Sequence, residues 1–592
     1  MRFVSSWRKP SSLTGLKRAS ITWAILSLIA TSCNVFALAT SIADPSQRPR
    51  DRHLQRRSGQ IPIYNGIPGG GQESEAVELS SEIRIKQLAT TVNDQAPTTP
   101  DWNQPRPSPE TPINLSTCSP SQNSSLRIVS NSGVCETHHG VQTSSGYIPI
   151  NQNQSMFYWL FEARKNPDTA PLVLWLNGGP GSSSMIGLFQ ENGPCRIKLD
   201  SSGLDNNPYS WTESVPFNFT FRRLYIDQPI GVGYSYGTTT VKTSSEAAIS
   251  VYNALQLFYS DNKYKKFIGR DFAIWTESYG GHYGPTMADY FLQMNQNVSQ
   301  SGNFLIPVKT LGIGNGIVSP LIQYPYYMEY AKSNPYEQLV TDDIIANATK
   351  MYNQEGGCKE LITLCQTTSD PLRCSNAQAF CNNNILGILN GKRDVYDVRS
   401  LDPNPYPPDL EPILSQKSFQ ESIGAETNWT QSNEDVYDNF FKGGDWMMSS
   451  APQLERIINS GVRTLIFDGD ADYILNYMGV EAMVDSLNTT FSEQYKQQQF
   501  SDWLVDGQKA GLYKNAGTFS YLRVFGAGHQ VPAYGFEKID PGKASLIFFQ
   551  QVMNGLPISS WPIGTSSLSN PQMESRQSSA GRLKSPFSLF IS

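Results

Sequence analysis

The sequence predicts an α/β fold built on a mainly parallel sheet with helices on both faces, and three observations carry that prediction. Short, continuously apolar runs such as Pro171-Leu172-Val173-Leu174-Trp175-Leu176 and Asp271-Phe272-Ala273-Ile274-Trp275 have the length of strands buried on both faces. Helical apolar spacing lies between such runs, as in Val251, Ala254, Leu255 and Phe258, which follow the capping pattern Thr243-Ser244-Ser245-Glu246. Glycine-rich loops follow several of the runs, which is where an α/β sheet presents its chemistry.

The ends of the chain are set apart first. Arg2, Arg8, Lys9, Lys17 and Arg18 precede the apolar run Ile21 to Ala30, and Ala37-Leu38-Ala39 offers small residues for cleavage, so residues 1–39 read as a secretory signal. An uncleaved signal anchor is the rival reading; no other run approaches the roughly 20 apolar residues of a bilayer span, and no stable membrane anchor is expected. Residues 40–130 are rich in Ser, Thr, Pro, Gln and Asn and read as a low-complexity linker or pro-segment, in which the dibasic Arg56-Arg57 is either a processing site or a pair of solvated arginines. Residues 131–557 are expected to form the catalytic domain, with order beginning near Gly133, and 558–592 a flexible tail.

Composition narrows the function classes. Net charge is −6 and no basic block lies within 131–557, which excludes a nucleic-acid footprint. Hydrophobic content of 39% is enough for a core. Eight cysteines occur, and removal of Cys33 with the signal leaves Cys118, Cys135, Cys195, Cys358, Cys365, Cys374 and Cys381. Behind a signal these are expected mostly in disulfides, with one left over. The gaps within Cys358/Cys365/Cys374/Cys381 are too wide for a structural zinc pair, so no metal is expected. Sequons at Asn114, Asn123, Asn153, Asn218, Asn297, Asn347, Asn428 and Asn488 fit an exported glycoprotein.

Strands are predicted at Met156 to Ala163 and Pro171 to Leu176, the second running into Asn177-Gly178-Gly179-Pro180-Gly181. A Gly-Gly pair at a strand's end can present free backbone N–H groups, the raw material of an oxyanion hole, or make an ordinary tight turn. Further strands are expected at Leu224 to Asp227, Asp271 to Trp275, Lys309 to Ile313, Val462 to Phe467 and Tyr521 to Val524, with a helix around Pro452 to Asn459. Between about 319 and 446 the regularity breaks down into Tyr- and Cys-rich sequence, read as a loop-rich insertion capping the sheet's active edge.

The strand ending at Trp275-Thr276-Glu277 runs into Ser278-Tyr279-Gly280-Gly281 and then a helical pattern. A serine at a strand-to-helix turn with glycines around it is a nucleophile elbow, although Thr276 stands where the G-x-S-x-G pattern begins. A serine hydroxyl needs a base. Of five histidines, His53, His138 and His139 precede the sheet and His282 lies on the elbow helix, where packing is its expected role; His529 remains. The order Ser278, Asp, His529 is that of an α/β-hydrolase triad, with Asp468, Asp470 and Asp472 equally placed at one strand's end.

Asn177-Gly178-Gly179-Pro180-Gly181-Ser182-Ser183, Glu277-Ser278-Tyr279-Gly280-Gly281-His282-Tyr283, Gly469-Asp470-Ala471-Asp472 and Gly528-His529-Gln530-Val531-Pro532 together resemble the serine carboxypeptidase family. The resemblance spans about 133 to 556, with fungal secreted members nearest through Gly187 to Pro194 and Asp472-Tyr473-Ile474-Leu475-Asn476. It implies an enzyme without a cofactor that hydrolyses the C-terminal bond of peptides and proteins, with Ser278 as nucleophile, Asp472 as orienting acid and His529 as base. It also implies oxyanion donors at Gly179 and Tyr279, and a site for the substrate's terminal carboxylate at Asn177, Gly178, Glu191 and Glu277. Two facing glutamates would share a proton and donate it to that carboxylate, which predicts an acidic optimum. The family often carries cysteine where Ser182 and Leu475 stand, and glycine where Thr276 stands. An acyltransferase or esterase on the same scaffold is the alternative, and the expected location is extracellular or vacuolar.

Overall fold

The computed structural model of the chain describes residues 125–213 and 220–562, with the backbone of two short strands at 63–64 and 67–68. The chain divides into Met1–His53, which lies outside the described residues, and Leu54–Ser592, which holds every element below. The signal, Arg56-Arg57, Cys118, Asn114, Asn123 and Asn218 also lie outside them.

Strands β1 (Ile63–Tyr64) and β2 (Ile67–Pro68) pair antiparallel, as do β7 (Cys195–Ile197) and β8 (Leu204–Asn206). The remaining strands form one sheet of eleven. Six of them, β9 (Arg222–Ile226), β6 (Leu172–Leu176), β10 (Phe272–Glu277), β11 (Val308–Gly314), β12 (Arg463–Gly469) and β15 (Phe519–Val524), lie side by side in that order and run parallel. Their residues are buried almost without exception, as continuous apolar runs covered on both faces require.

Antiparallel strands close both edges. On one side β5 (Gln154–Phe161) pairs with β9, β4 (Thr143–Asn151) with β5, and β3 (Arg127–Ser130) with β4; on the other β14 (Gln508–Ala516) joins β15, and β13 (Ser501–Val505) joins β14. The ordered sheet therefore starts at Arg127, inside the stretch read as low-complexity. At its far end Trp561 N donates to Leu504 O at 2.6 Å, so residues 558–562 pack on β13 rather than starting a free tail.

Helices α1 (Ser244–Ser260) and α2 (Gly280–Asn295) follow the expected pattern. The cap forms with one change: Thr243 Oγ1 accepts from Glu246 N at 3.2 Å, and Glu246 Oε2 accepts from Lys242 N, one residue before the N-cap, at 2.6 Å. The insertion corrects the sequence reading. It is built largely of helices, among them α3 (Asp342–Asn353), α4 (Cys358–Thr368), α5 (Pro371–Cys381) and α6 (Glu434–Gly443). The disulfides Cys358–Cys381 and Cys365–Cys374 are nested across α4 and α5 and clamp them as a hairpin. Helix α7 (Ala451–Asn459) returns the chain to β12, α8 (Tyr477–Ser486) follows β12, and α9 (Lys543–Met553) packs behind the sheet. A third disulfide, Cys135–Cys195, ties β7 to the segment before β4.

Candidate active site

The residues singled out for chemistry lie at or just beyond the C-terminal ends of β6, β10, β12 and β15, the edge where a parallel sheet opens a crevice, except Glu191, which comes from the helical turn Gly187–Asn192 further along the chain. The register explains the convergence. Glu277 pairs with Gly314, Gly314 with Phe467, and Gly469 with Val524, so the loops after these strands emerge at one level.

Ser278 has φ 66°, a left-handed conformation rare for a residue with a side chain. The turn is held by backbone bonds: Ser278 N donates to Gly314 O at 2.9 Å, and Ser278 O accepts from Gly281 N at 2.9 Å and Ile317 N at 3.1 Å. A Cβ on Gly281 would stand 2.3 Å from Ile317 O, so glycine alone permits this approach. Strain at a serine pinned between a strand and a helix N-terminus is the geometry of a nucleophile elbow.

The loop after β6 packs directly on that turn. A Cβ on Gly178 would come within 2.4 Å of Tyr279 N. Among the described residues, the N–H groups of Gly178, Gly179 and Tyr279 find no backbone or side-chain acceptor. Free amides at the start of α2, where the helix dipole adds positive potential, suit a developing oxyanion.

The three candidate aspartates differ in their partners. His529 Nδ1 lies 2.7 Å from Asp472 Oδ2, and both side chains are fully buried. Asp470 instead accepts from Gly526 N and the Tyr336 hydroxyl, and Asp468 makes no bond to His529. Burial raises the Asp472 carboxyl, opposed by His529 and by the amide of Asn315, whose Nδ2 donates to Asp472 Oδ2 at 2.8 Å. Among the described residues His529 Nε2 has no hydrogen-bond partner, and so remains available to a substrate or nucleophile.

Beside the elbow stands a pair of carboxyls. Asn177 Nδ2 donates to Glu191 Oε1 and to Glu277 Oε1, each at 3.2 Å, while Asn177 Oδ1 accepts from Trp175 Nε1 and Gly187 N. The amide is thereby fixed with its NH2 toward both glutamates. Burial pushes both carboxyls above the usual range. Glu277 is raised further by the charge of Glu191, while hydrogen bonds from Glu277 and Asn177 and the charges of His529 and Arg196 oppose the rise at Glu191, so the pair holds a proton more tightly than an isolated carboxyl.

His282 is a packing residue. It is buried, stacks on Tyr279 at 4.9 Å, and directs its ring nitrogens at Ile317 O and Met448 O. Thr276 donates to Gly280 O at 2.9 Å, which accommodates it where glycine was expected. Ser182 forms an antiparallel bridge with Ser432 of the insertion, and Leu475 is buried. Asn153, Asn297, Asn347, Asn428 and Asn488 are exposed. Sequence reasoning missed Asn315 as a site residue. Its Gly314-Asn315-Gly316 setting at the end of a central parallel strand was the available signal.

A buried Asp–His link beside a strained serine and free amides, on this sheet, defines a serine hydrolase of the α/β-hydrolase class. The serine carboxypeptidase family model matches residues 134–555, and the chain belongs to that family. Carboxypeptidase S1 of Penicillium janthinellum is 39% identical over 438 residues, covering 73% of this chain and all of that protein. Carboxypeptidase Y of Komagataella phaffii is 36% identical over 403 residues, 66% of this chain and 72% of that one. Among solved structures, a prohormone-processing carboxypeptidase from Saccharomyces cerevisiae shares the fold, with a TM-score of 0.57 at 22% identity over 70% of this chain and 91% of that chain.

Proposed function

We propose that this serine carboxypeptidase cleaves the C-terminal peptide bond through an acyl-enzyme on Ser278, with His529 as base and Asp472 as the acid that orients it. The observation that carries the reading is the Glu191/Glu277 pair held on Asn177 beside the elbow. An enzyme that cuts only at chain ends must recognise an end. One shared proton lets the pair donate to a terminal carboxylate, with the Gly178 N–H as a further donor and Asn177 holding both glutamates in place.

In the proposed reaction His529 Nε2 takes the Ser278 hydroxyl proton as the oxygen attacks the last peptide carbonyl. The N–H groups of Gly179 and Tyr279 receive the oxyanion, and Asp472 stabilises the imidazolium. That proton then passes to the departing amino acid. Water, deprotonated by His529, releases the shortened peptide.

The pair predicts an acidic optimum, because loss of its last proton removes the donor and repels the substrate. Three disulfides among the described residues support an oxidising, secretory route. Within it we propose an extracellular enzyme, with the vacuole as the alternative, made with a cleaved signal (1–39), a pro-segment cut at Arg56-Arg57 and glycans on the exposed sequons. Among the described residues no helix is long and apolar enough to cross a membrane.

The test compares an N-blocked dipeptide with its C-terminal amide, for wild type and Ser278→Ala, from about pH 4 to about pH 8. Release from the free acid alone, abolished by Ser278→Ala, with KM rising toward the alkaline end, supports the reading. A flat KM contradicts the shared proton. Cleavage of simple esters without peptide release points to an acyltransferase or esterase.

A further inference from the structure

Arg196 stands on β7, next to the disulfide-bonded Cys195, and turns its guanidinium inward. All of its hydrogen bonds go to main-chain carbonyls of three separate segments. Nε and Nη2 donate to Glu191 O at 3.2 and 2.8 Å, Nη2 also to Pro532 O at 2.6 Å, and Nη1 to Pro541 O at 3.0 Å. Glu191 O accepts a further bond from Asn207 Nδ2 at 3.3 Å. Burial lowers the arginine's pKa, and Tyr406 and then Glu191 oppose that.

Pro532 is three residues beyond His529, in the short turn Val531–Ala533. One planar cation thus joins the segment that supplies the carboxylate pair to the loop that supplies the base. A fork of fixed donors can hold two backbones at a set spacing in a way that a single ammonium cannot. Its charge also acts on the pair, which faces Arg196, His529, Asp472 and Tyr225.

We infer that Arg196 is a positioning residue for terminal-carboxylate recognition: it sets the place of Glu191 relative to His529 and supplies positive charge behind the glutamate pair. The inference rests on the proposed role of Glu191 and Glu277. Arg196 itself need not touch substrate. Its loss should therefore weaken binding of a free C-terminus while sparing the chemistry at Ser278.

The experiment measures kcat and KM of wild type, Arg196→Met and Arg196→Lys on an N-blocked dipeptide and on its C-terminal methyl ester, across pH. For Arg196→Met we expect KM for the free acid to rise about tenfold, the size of one charge-assisted hydrogen bond, with kcat on the ester within about twofold. The alkaline rise of KM should move to higher pH, because removing a cation makes the last proton of the pair harder to lose. Arg196→Lys keeps the charge and loses the fork, so the pH position should return to that of wild type while part of the KM loss persists. Equal loss on acid and ester, or an unchanged KM and pH position, overturns the inference. If Arg196→Met does not fold, Arg196→Lys with wild-type KM overturns it equally. A wild type that does not prefer the free acid over the ester sinks instead the role given to the glutamates.

Discussion

The side chain of Thr276, at the end of β10, lies against Gly284 in α2: a Cβ on Gly284 would come 2.9 Å from Thr276 Oγ1 and 3.3 Å from its Cγ2. Gly280 is closer still, with Thr276 Cβ 2.5 Å from where its own Cβ would be. The room that a glycine at 276 would have provided is supplied from the helix side. Gly284→Ala should therefore destabilise by about 1 to 3 kcal/mol, although alanine favours a helix interior by about 1 kcal/mol. Adding Thr276→Gly should recover most of that loss. Urea unfolding of the four proteins gives the coupling; additive effects would show that the contact is not the cause.

Ser182 and Ser432 face each other where the insertion meets the glycine-rich loop. Ser183 N donates to Gln431 O and Asn433 N to Gly181 O, each at 3.0 Å, so the two serines form the narrow pair of an antiparallel bridge. Among the described residues the buried Ser182 Oγ has no hydrogen-bond partner. Cysteines at both positions should form a disulfide that raises stability by about 2 to 4 kcal/mol. The check is a thiol count and the melting temperature with and without reductant. Two titratable thiols in the folded double variant would refute the proximity.

Asp227 is buried and accepts from Ser183 Oγ at 2.7 Å, and from Ser184 N and Tyr234 N at 2.9 Å each, yet burial holds its pKa up at about 6. Burial raises Asp394 to about 6 as well. A carboxyl raised by folding binds its proton more tightly in the native state than in the unfolded one, where its pKa is about 3.9. Its stabilising contribution is complete below that value and is lost as pH climbs through 6. For Asp227 this is about 3 kcal/mol. Burial shifts Glu191, Glu277, Asp468 and Asp472 the same way. The melting temperature should be higher near pH 4.5 than near pH 7.5, falling across about pH 4 to 7. A rise over that interval would contradict these assignments.

The central strands were legible because burial on both faces leaves an unbroken apolar run, as in Leu172–Leu176 and Phe272–Glu277. The outer strands were not. Thr143–Asn151 and Gln508–Ala516, each one strand in from an edge, mix polar and apolar residues and carry no such run, although the first is buried over most of its length. The insertion was misread because its helices are short and its Tyr and Cys content resembles loop sequence, while the disulfides that hold α4 against α5 are tertiary facts. At the site, order and elimination singled out Ser278 and His529 and left the aspartate open. Asp470 and Asp472 differ only in where their side chains point, which spacing does not encode. Arg196 and Asn315 act through backbone carbonyls and a neighbouring carboxylate, partners distant in sequence.

Asn315 itself gives the last prediction. Its Nδ2 donates to Asp472 Oδ2, the oxygen that also meets His529, and its Oδ1 accepts from Gly469 N at 3.1 Å. The amide thus fixes the acid from the neighbouring strand and stabilises its ionised form. Asn315→Ala should lower kcat about tenfold with KM unchanged, because the group lost serves the base and not the terminal carboxylate. Asp472→Asn removes the acceptor itself and should cost about a thousandfold or more. Combining the two should cost little beyond Asp472→Asn alone, since Asn315 acts only through that carboxylate. A double variant that loses the full product of the two effects would mean that Asn315 serves catalysis by another route.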